Sequence, residues 1–86
     1  MFLHLGQDTI VNTKDIVGIF DMDTSTVGKP TRDFLNKAQK EGRVVNVSFE
    51  LPKSFVILKE NGKMMVYISQ LSSSTLEKRL RRKYIF

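Results

Sequence analysis

The chain contains no cysteine and a single histidine among its 86 residues. The first absence excludes a disulfide framework, a thiolate metal site and a thiol nucleophile, and it suits a reducing compartment. His4 stands in an apolar, strand-like run, where a packed or surface imidazole is expected instead of a general base or ligand. No apolar stretch approaches the roughly 18 residues that a membrane span needs, and the opening Met1-Phe2-Leu3-His4-Leu5-Gly6 lacks a basic export region. Gly18, Gly28 and Gly42 form no phosphate-binding fingerprint, and no Gly-x-Ser-x-Gly elbow occurs. Asp21-Met22-Asp23-Thr24-Ser25 begins like a calcium loop, yet Thr26 occupies the sharp-turn position and Arg32 that of the bidentate acid. No enzymatic reaction, cofactor, metal or small-molecule substrate is therefore expected. The length suits one soluble domain over residues 1–86, with a cytoplasmic location.

Positive charge is present, and it is concentrated. Five of the fourteen Lys and Arg residues fall in the last nine positions, beside the lone acid Glu77. Most of the formal +5 charge thus resides in one short element. A local field of this kind attracts phosphates, whereas scattered charge only promotes solubility. Ser74 and Glu77 fit a capping box, which predicts a helix over about 74–84. On a 3.6-residue repeat Leu76, Leu80 and Tyr84 share one stripe, and Lys78, Arg79, Arg81 and Arg82 occupy most of the opposite side. The plain alternative is a solvated face, but solubilising helices usually mix signs.

Strand-like runs flank a central helix. Phe2 to Leu5 and Thr9 to Asn12 predict a tight hairpin around Gly6-Gln7-Asp8, and Asp15 to Phe20 predicts a third strand. Pro30 suits a first helical turn and Gly42 a C-terminal cap, which places the central helix over about 30–41. The run through Val44, Val45, Val47 and Phe49, ending at Leu51-Pro52, reads as a fourth strand. Ser54 to Leu58 and Met64 to Ile68 read as two more, joined through Asn61-Gly62. The expected fold is α+β, with a mostly antiparallel sheet of about six strands, a central helix and a basic C-terminal helix. Two helices cannot cover both faces and both sides of such a sheet. Pairing through exposed edges therefore predicts a homo-oligomer, with a ring as one closed form.

Several blocks together resemble the small RemA/RemB family of Bacillus-type bacteria, on its RemB side. They are His4-Leu5-Gly6-Gln7-Asp8-Thr9-Ile10-Val11, Asp15-Ile16-Val17-Gly18-Ile19-Phe20-Asp21, Pro52-Lys53-Ser54-Phe55-Val56 and Leu71-Ser72-Ser73-Ser74-Thr75-Leu76-Glu77-Lys78-Arg79. The resemblance implies a bacterial cytoplasmic regulator of extracellular-matrix (biofilm) genes, and in the RemA branch a ring-forming, DNA-binding transcription activator. It also implies DNA contacts near the turn before the third strand and in the connection before the fifth. Here those places read Lys14-Asp15 and Glu50-Leu51-Pro52-Lys53, so lysine replaces arginine and an acid stands beside each.

The expected function is an oligomeric, non-enzymatic DNA-binding regulator that grips duplex DNA mainly by its phosphates. The candidate contacts are Lys14, Lys53, Lys78, Arg79, Arg81 and Arg82. The alternative is an interaction or scaffold protein that acts in biofilm regulation without touching DNA. Attachment to anionic lipid by the terminal helix is disfavoured by its narrow apolar stripe.

Overall fold

The computed structural model describes residues 1–82, with the side chain of Arg82 outside the description. Six strands and three helices follow one another, with a 3-10 turn at Thr13–Asp15. They are β1 (Phe2–Gly6), β2 (Thr9–Asn12), β3 (Ile16–Asp21), α1 (Met22–Ser25), α2 (Lys29–Lys40), β4 (Val44–Asn46), β5 (Ser54–Glu60), β6 (Lys63–Ser69) and α3 (Ser73–Arg82). The α+β class and six strands stand, and three of the four strand pairings are antiparallel, but the strands form two sheets instead of one. The β1–β2 hairpin forms its own two-stranded sheet, and the other four strands run in the order β3-β5-β6-β4. Within that sheet β4 lies parallel to β6. The chain reaches β4 from α2, which carries it over the sheet, so β4 enters the edge without a hairpin's reversal of direction.

Alternation along the strands divides the core in two. Val56, Leu58, Ile19 and Tyr67 point to one face, where Leu3, Leu5 and Val11 of the hairpin and Leu76 of α3 meet them. Phe55, Ile57, Val66 and Ile68 point to the other face, against Phe34, Leu35 and Ala38 of α2. The result is three layers: hairpin with α3, four-stranded sheet, α2. Both faces of the sheet are covered because the hairpin acts as a lid instead of extending the sheet. The edges that remain are short or distorted. β4 has three residues, and the β3–β5 register shifts between Ile16 and Gly18. A three-residue edge such as β4 pairs poorly with a second copy, whereas β3, β1 and β2 each keep one side unpaired within the protomer.

Local chemistry sets the turns. Asn61 and Gly62 both adopt positive φ, 51° and 79°, in the two-residue turn joining β5 to β6. Gly42, at φ 72°, ends α2. Its N–H donates to Gln39 O and that of Arg43 to Ala38 O, the paired bonds of a Schellman closure. The predicted fourth strand is cut short. After Val47 N–H bonds Ile68 O, Ser48 Oγ accepts from Glu50 N–H and turns the chain away. Phe49 is left fully exposed at 108% and Leu51 at 82%.

Two buried serines join the layers. Ser69 Oγ donates to Leu5 O at 2.6 Å and accepts from Leu71 N–H at 3.0 Å, and Ser54 Oγ donates to Leu71 O at 2.7 Å. Leu71 is thereby fixed just ahead of α3.

Candidate nucleic-acid interface

Three serines in a row offer three possible caps for α3, and the structure uses Ser72, not Ser74. Ser72 Oγ accepts from Thr75 N–H and donates to Thr75 Oγ1 at 2.8 Å, while Leu76 N–H bonds Ser72 O. The predicted Ser74–Glu77 box is therefore absent. The cause is Leu71: with its backbone held by Ser54 and Ser69, Ser72 is the first residue able to turn into the helix. The extension to residue 84 and the stripe position Tyr84 lie outside the described residues.

Leu76 is fully buried and Leu80 half-buried, so the predicted stripe docks as far as it is described. Lys78 and Arg81 point away from it, and both are exposed. Arg79 falls at the seam, where its Nη1 donates to His4 O at 3.3 Å and ties α3 to β1. Among the described residues the ion pairs are Lys29–Asp33 and Arg43–Glu41. Lys78, Arg79 and Arg81 thus have no carboxylate within 4 Å there. Arg82 is the last residue of α3, and its side chain is one of those not described.

Lys53 sits near the root of α3. Its N–H donates to Ser69 O at 2.9 Å and its carbonyl accepts from Met22 N–H at 3.0 Å, so the backbone is pinned while the side chain is exposed. Lys14, also exposed, lies on the 3-10 turn, with its N–H on Asn12 Oδ1. Lys14 and Lys53 occupy opposite ends of the sheet. Ile16 pairs with Leu58 and Asp21 with Ser54, and the five intervening rises span about 17 Å. Lys53 thus lies by the N-terminal end of α3, and Lys14 lies at the other end of β3.

A second set of bases lies on α2, outside the residues expected to meet DNA. Lys29, Arg32, Lys37 and Lys40 all lie at exposed positions of this helix; among the described residues Lys29 pairs with Asp33, and Arg32 Nη1 donates to Val27 O at 2.7 Å and Thr26 O at 3.3 Å. The signal was available as four bases against one acid in a twelve-residue helix, but the interleaved acid and apolar residues hid it. His4 proves to be a surface residue, with Nε2 2.6 Å from Gln7 O at the hairpin turn.

A sequence profile of the RemA-like family, described as extracellular matrix regulatory protein A-like, matches residues 2–80. The chain belongs to this family. The matched RemA-like span takes in both sheets, α2 and most of α3. The chain is also similar to extracellular matrix regulatory protein B of Bacillus subtilis (strain 168). The two are 46% identical over 79 residues, which cover 92% of this chain and 89% of that protein. Where the RemA-like resemblance implies arginines, Lys14 and Lys53 are both solvent-facing. Their acidic companions differ, since Asp15 is half-buried and Glu50 is exposed.

No helix among the described residues is long and apolar enough to cross a membrane.

Proposed function

We propose that this chain is a non-enzymatic, cytoplasmic transcriptional regulator of extracellular-matrix genes, which binds duplex DNA through backbone phosphates as an assembly of several copies. The carrying observation is α3, whose Leu76 is sunk in the core while Lys78, Arg79 and Arg81 have no carboxylate partner among the described residues. The relative's name, extracellular matrix regulatory protein B, supports the choice of target genes. A duplex is favoured over a single strand because a stacking platform needs several exposed rings side by side, and of Phe49, Phe55 and Tyr67 only Phe49 is fully exposed. Phe55 is buried, and Tyr67 is half-buried with its hydroxyl on Glu60 at 2.9 Å. Assembly is supported by Phe49 and Leu51, two large apolar side chains held in water on one loop. A head-to-tail contact through that loop closes into a ring if the rotation permits.

The test is a salt titration of binding to a duplex fragment. If four to six of Lys14, Lys53, Lys78, Arg79, Arg81 and Arg82 meet phosphates, the slope of log affinity against log salt is about −3.5 to −5.5. A flat response rejects the mechanism. The exposed Phe49–Leu51 loop also favours a second reading, an interaction or scaffold protein without DNA contact. Arg81→Glu with Arg82→Glu separates the two. The first reading expects lost DNA retention with assembly intact by light scattering, and the second expects no retention by the wild type either.

A further inference from the structure

We propose that α2 is a second phosphate-binding face, so that one protomer holds two separate stretches of duplex and bridges them. The inference rests on the DNA reading of α3 and extends it to the opposite layer. On a 3.6-residue repeat Lys29, Asp33, Asn36 and Lys40, with Lys37 to one side, lie opposite Phe34, Leu35 and Ala38, while Arg32 turns its Nη1 to Val27 O at 2.7 Å and Thr26 O at 3.3 Å. Phe34, Leu35 and Ala38 face the sheet. Lys37 and Lys40 are exposed and, among the described residues, have no carboxylate within 4 Å. Asn36, Gln39 and Lys40 line a shallow hollow of about 350 Å³ on this surface. Amide and ammonium N–H groups are the donors that commonly hold phosphate and sugar oxygens.

Three features could oppose an anion here, and each is answered locally. Asp33 shares this side of the helix, and Lys29 Nζ lies 2.8 Å from its Oδ2. The C-terminal carbonyls of α2 carry partial negative charge, but the N–H groups of Gly42 and Arg43 occupy those of Gln39 and Ala38. Glu41 is neutralised by Arg43, with Nη2 at 2.8 Å from Oε1. A mere complement to the helix dipole needs charge near the carbonyls and no donor-lined hollow.

The geometry then forces the stoichiometry. α2 and α3 lie on opposite sides of the four-stranded sheet, and the shortest dimension of the Cα trace is 22 Å. Their basic sides face away from each other with the whole core between them. A straight duplex lying on one cannot reach the other. A protomer using both holds two duplexes or two arms of one loop.

The test captures a labelled duplex on beads that carry a second, immobilised duplex. Wild-type protein is expected to bring the labelled duplex down. Lys37→Glu with Lys40→Glu is expected to lower that capture about tenfold or more, with single-duplex retention preserved and the melting temperature unchanged. The matched control, Lys59→Glu with Lys63→Glu beside the β5–β6 turn, makes the same charge change on residues that are not part of α2 and keeps capture. Bridging that survives in the α2 variant overturns the proposal, as does equal loss in the control. A wild type that retains one duplex but captures no second also overturns it and leaves the α3 reading standing. A wild type that retains no duplex at all removes the α3 reading, and this proposal with it.

Discussion

The two sides of the four-stranded sheet are built to different depths. On the hairpin side seven buried apolar residues, including Leu3, Leu5, Leu58 and Leu76, form one cluster. On the α2 side only Ala38, Phe55 and Val66 are fully enclosed, and larger residues such as Phe34, Leu35 and Met22 are half-covered. The anchors differ in the same sense: α3 inserts a leucine at 0% exposure, and α2 inserts an alanine at 0%. The shallower side keeps an apolar groove of about 300 Å³ between Phe20, Pro30, Phe34 and Met64. A helix that presents charge does not need deep anchoring, since α2 and α3 offer similar cation sets from unequal footings. Burial sets the stability of each side, and unpaired exposed bases set what it can attract.

This asymmetry can be broken most directly by truncation. Leu76→Ala should cost about 2–5 kcal/mol by urea denaturation, because a fully buried leucine leaves a cavity. The half-buried Leu35→Ala should cost less than about 2 kcal/mol. The reverse order would show that the α2 side is the true core. Ser69→Ala comes next, at about 1–3 kcal/mol, since it strands Leu5 O and Leu71 N–H in the interior. Hydrogen exchange should then quicken in the hairpin and α3 while the amides of α2 stay as protected as before.

Tyr67, on the hairpin side, supplies a smaller and pH-dependent effect. Its pKa is raised by burial, then by the hydrogen bond to Glu60 and the charge of that carboxylate. The fold therefore favours the neutral phenol. Its contribution is whole below the ordinary tyrosine value of about 10 and drains away as pH climbs from there through the folded value. Tyr67→Phe should cost about 1 kcal/mol at neutral pH and show a shallower alkaline loss in urea midpoints from pH 8 to 11. Smallest of all is Asp33→Asn, which deletes an exposed ion pair whose partners are 77% and 60% accessible. Stability should move by less than about 0.5 kcal/mol, yet the freed Lys29 should strengthen duplex capture by α2.

Features governed by neighbours in sequence were legible. Asn61-Gly62 specifies its turn because few other pairs tolerate two positive φ values, and Gly42 marks the end of α2 for the same reason. The cations of α3 could be seen because they are nearly contiguous. Lys37 and Lys40 could not, since only a folded helix gathers them on one side and assigns Asp33 and Glu41 to other partners. Phe49 and Phe55 look alike in a strand-rich stretch, but one is fully exposed and the other 1% exposed. Which of them enters the core depends on where β4 stops pairing.

By itself the sequence determined the α+β class, the tight turns, the spans of the strands, of α2 and of the start of α3 to within a few residues apart from the curtailed fourth strand, and the basic character of the terminal helix, but not the short α1. Each of these follows from the conformational preferences of short segments and from the spacing of apolar side chains. Tertiary structure alone decided that the hairpin covers the sheet, that β4 runs parallel to β6, that Ser72 caps α3 and that basic helices lie on opposite faces. Those outcomes depend on which distant surfaces bury one another, and periodicity along a chain records that a face is apolar without recording what it will meet.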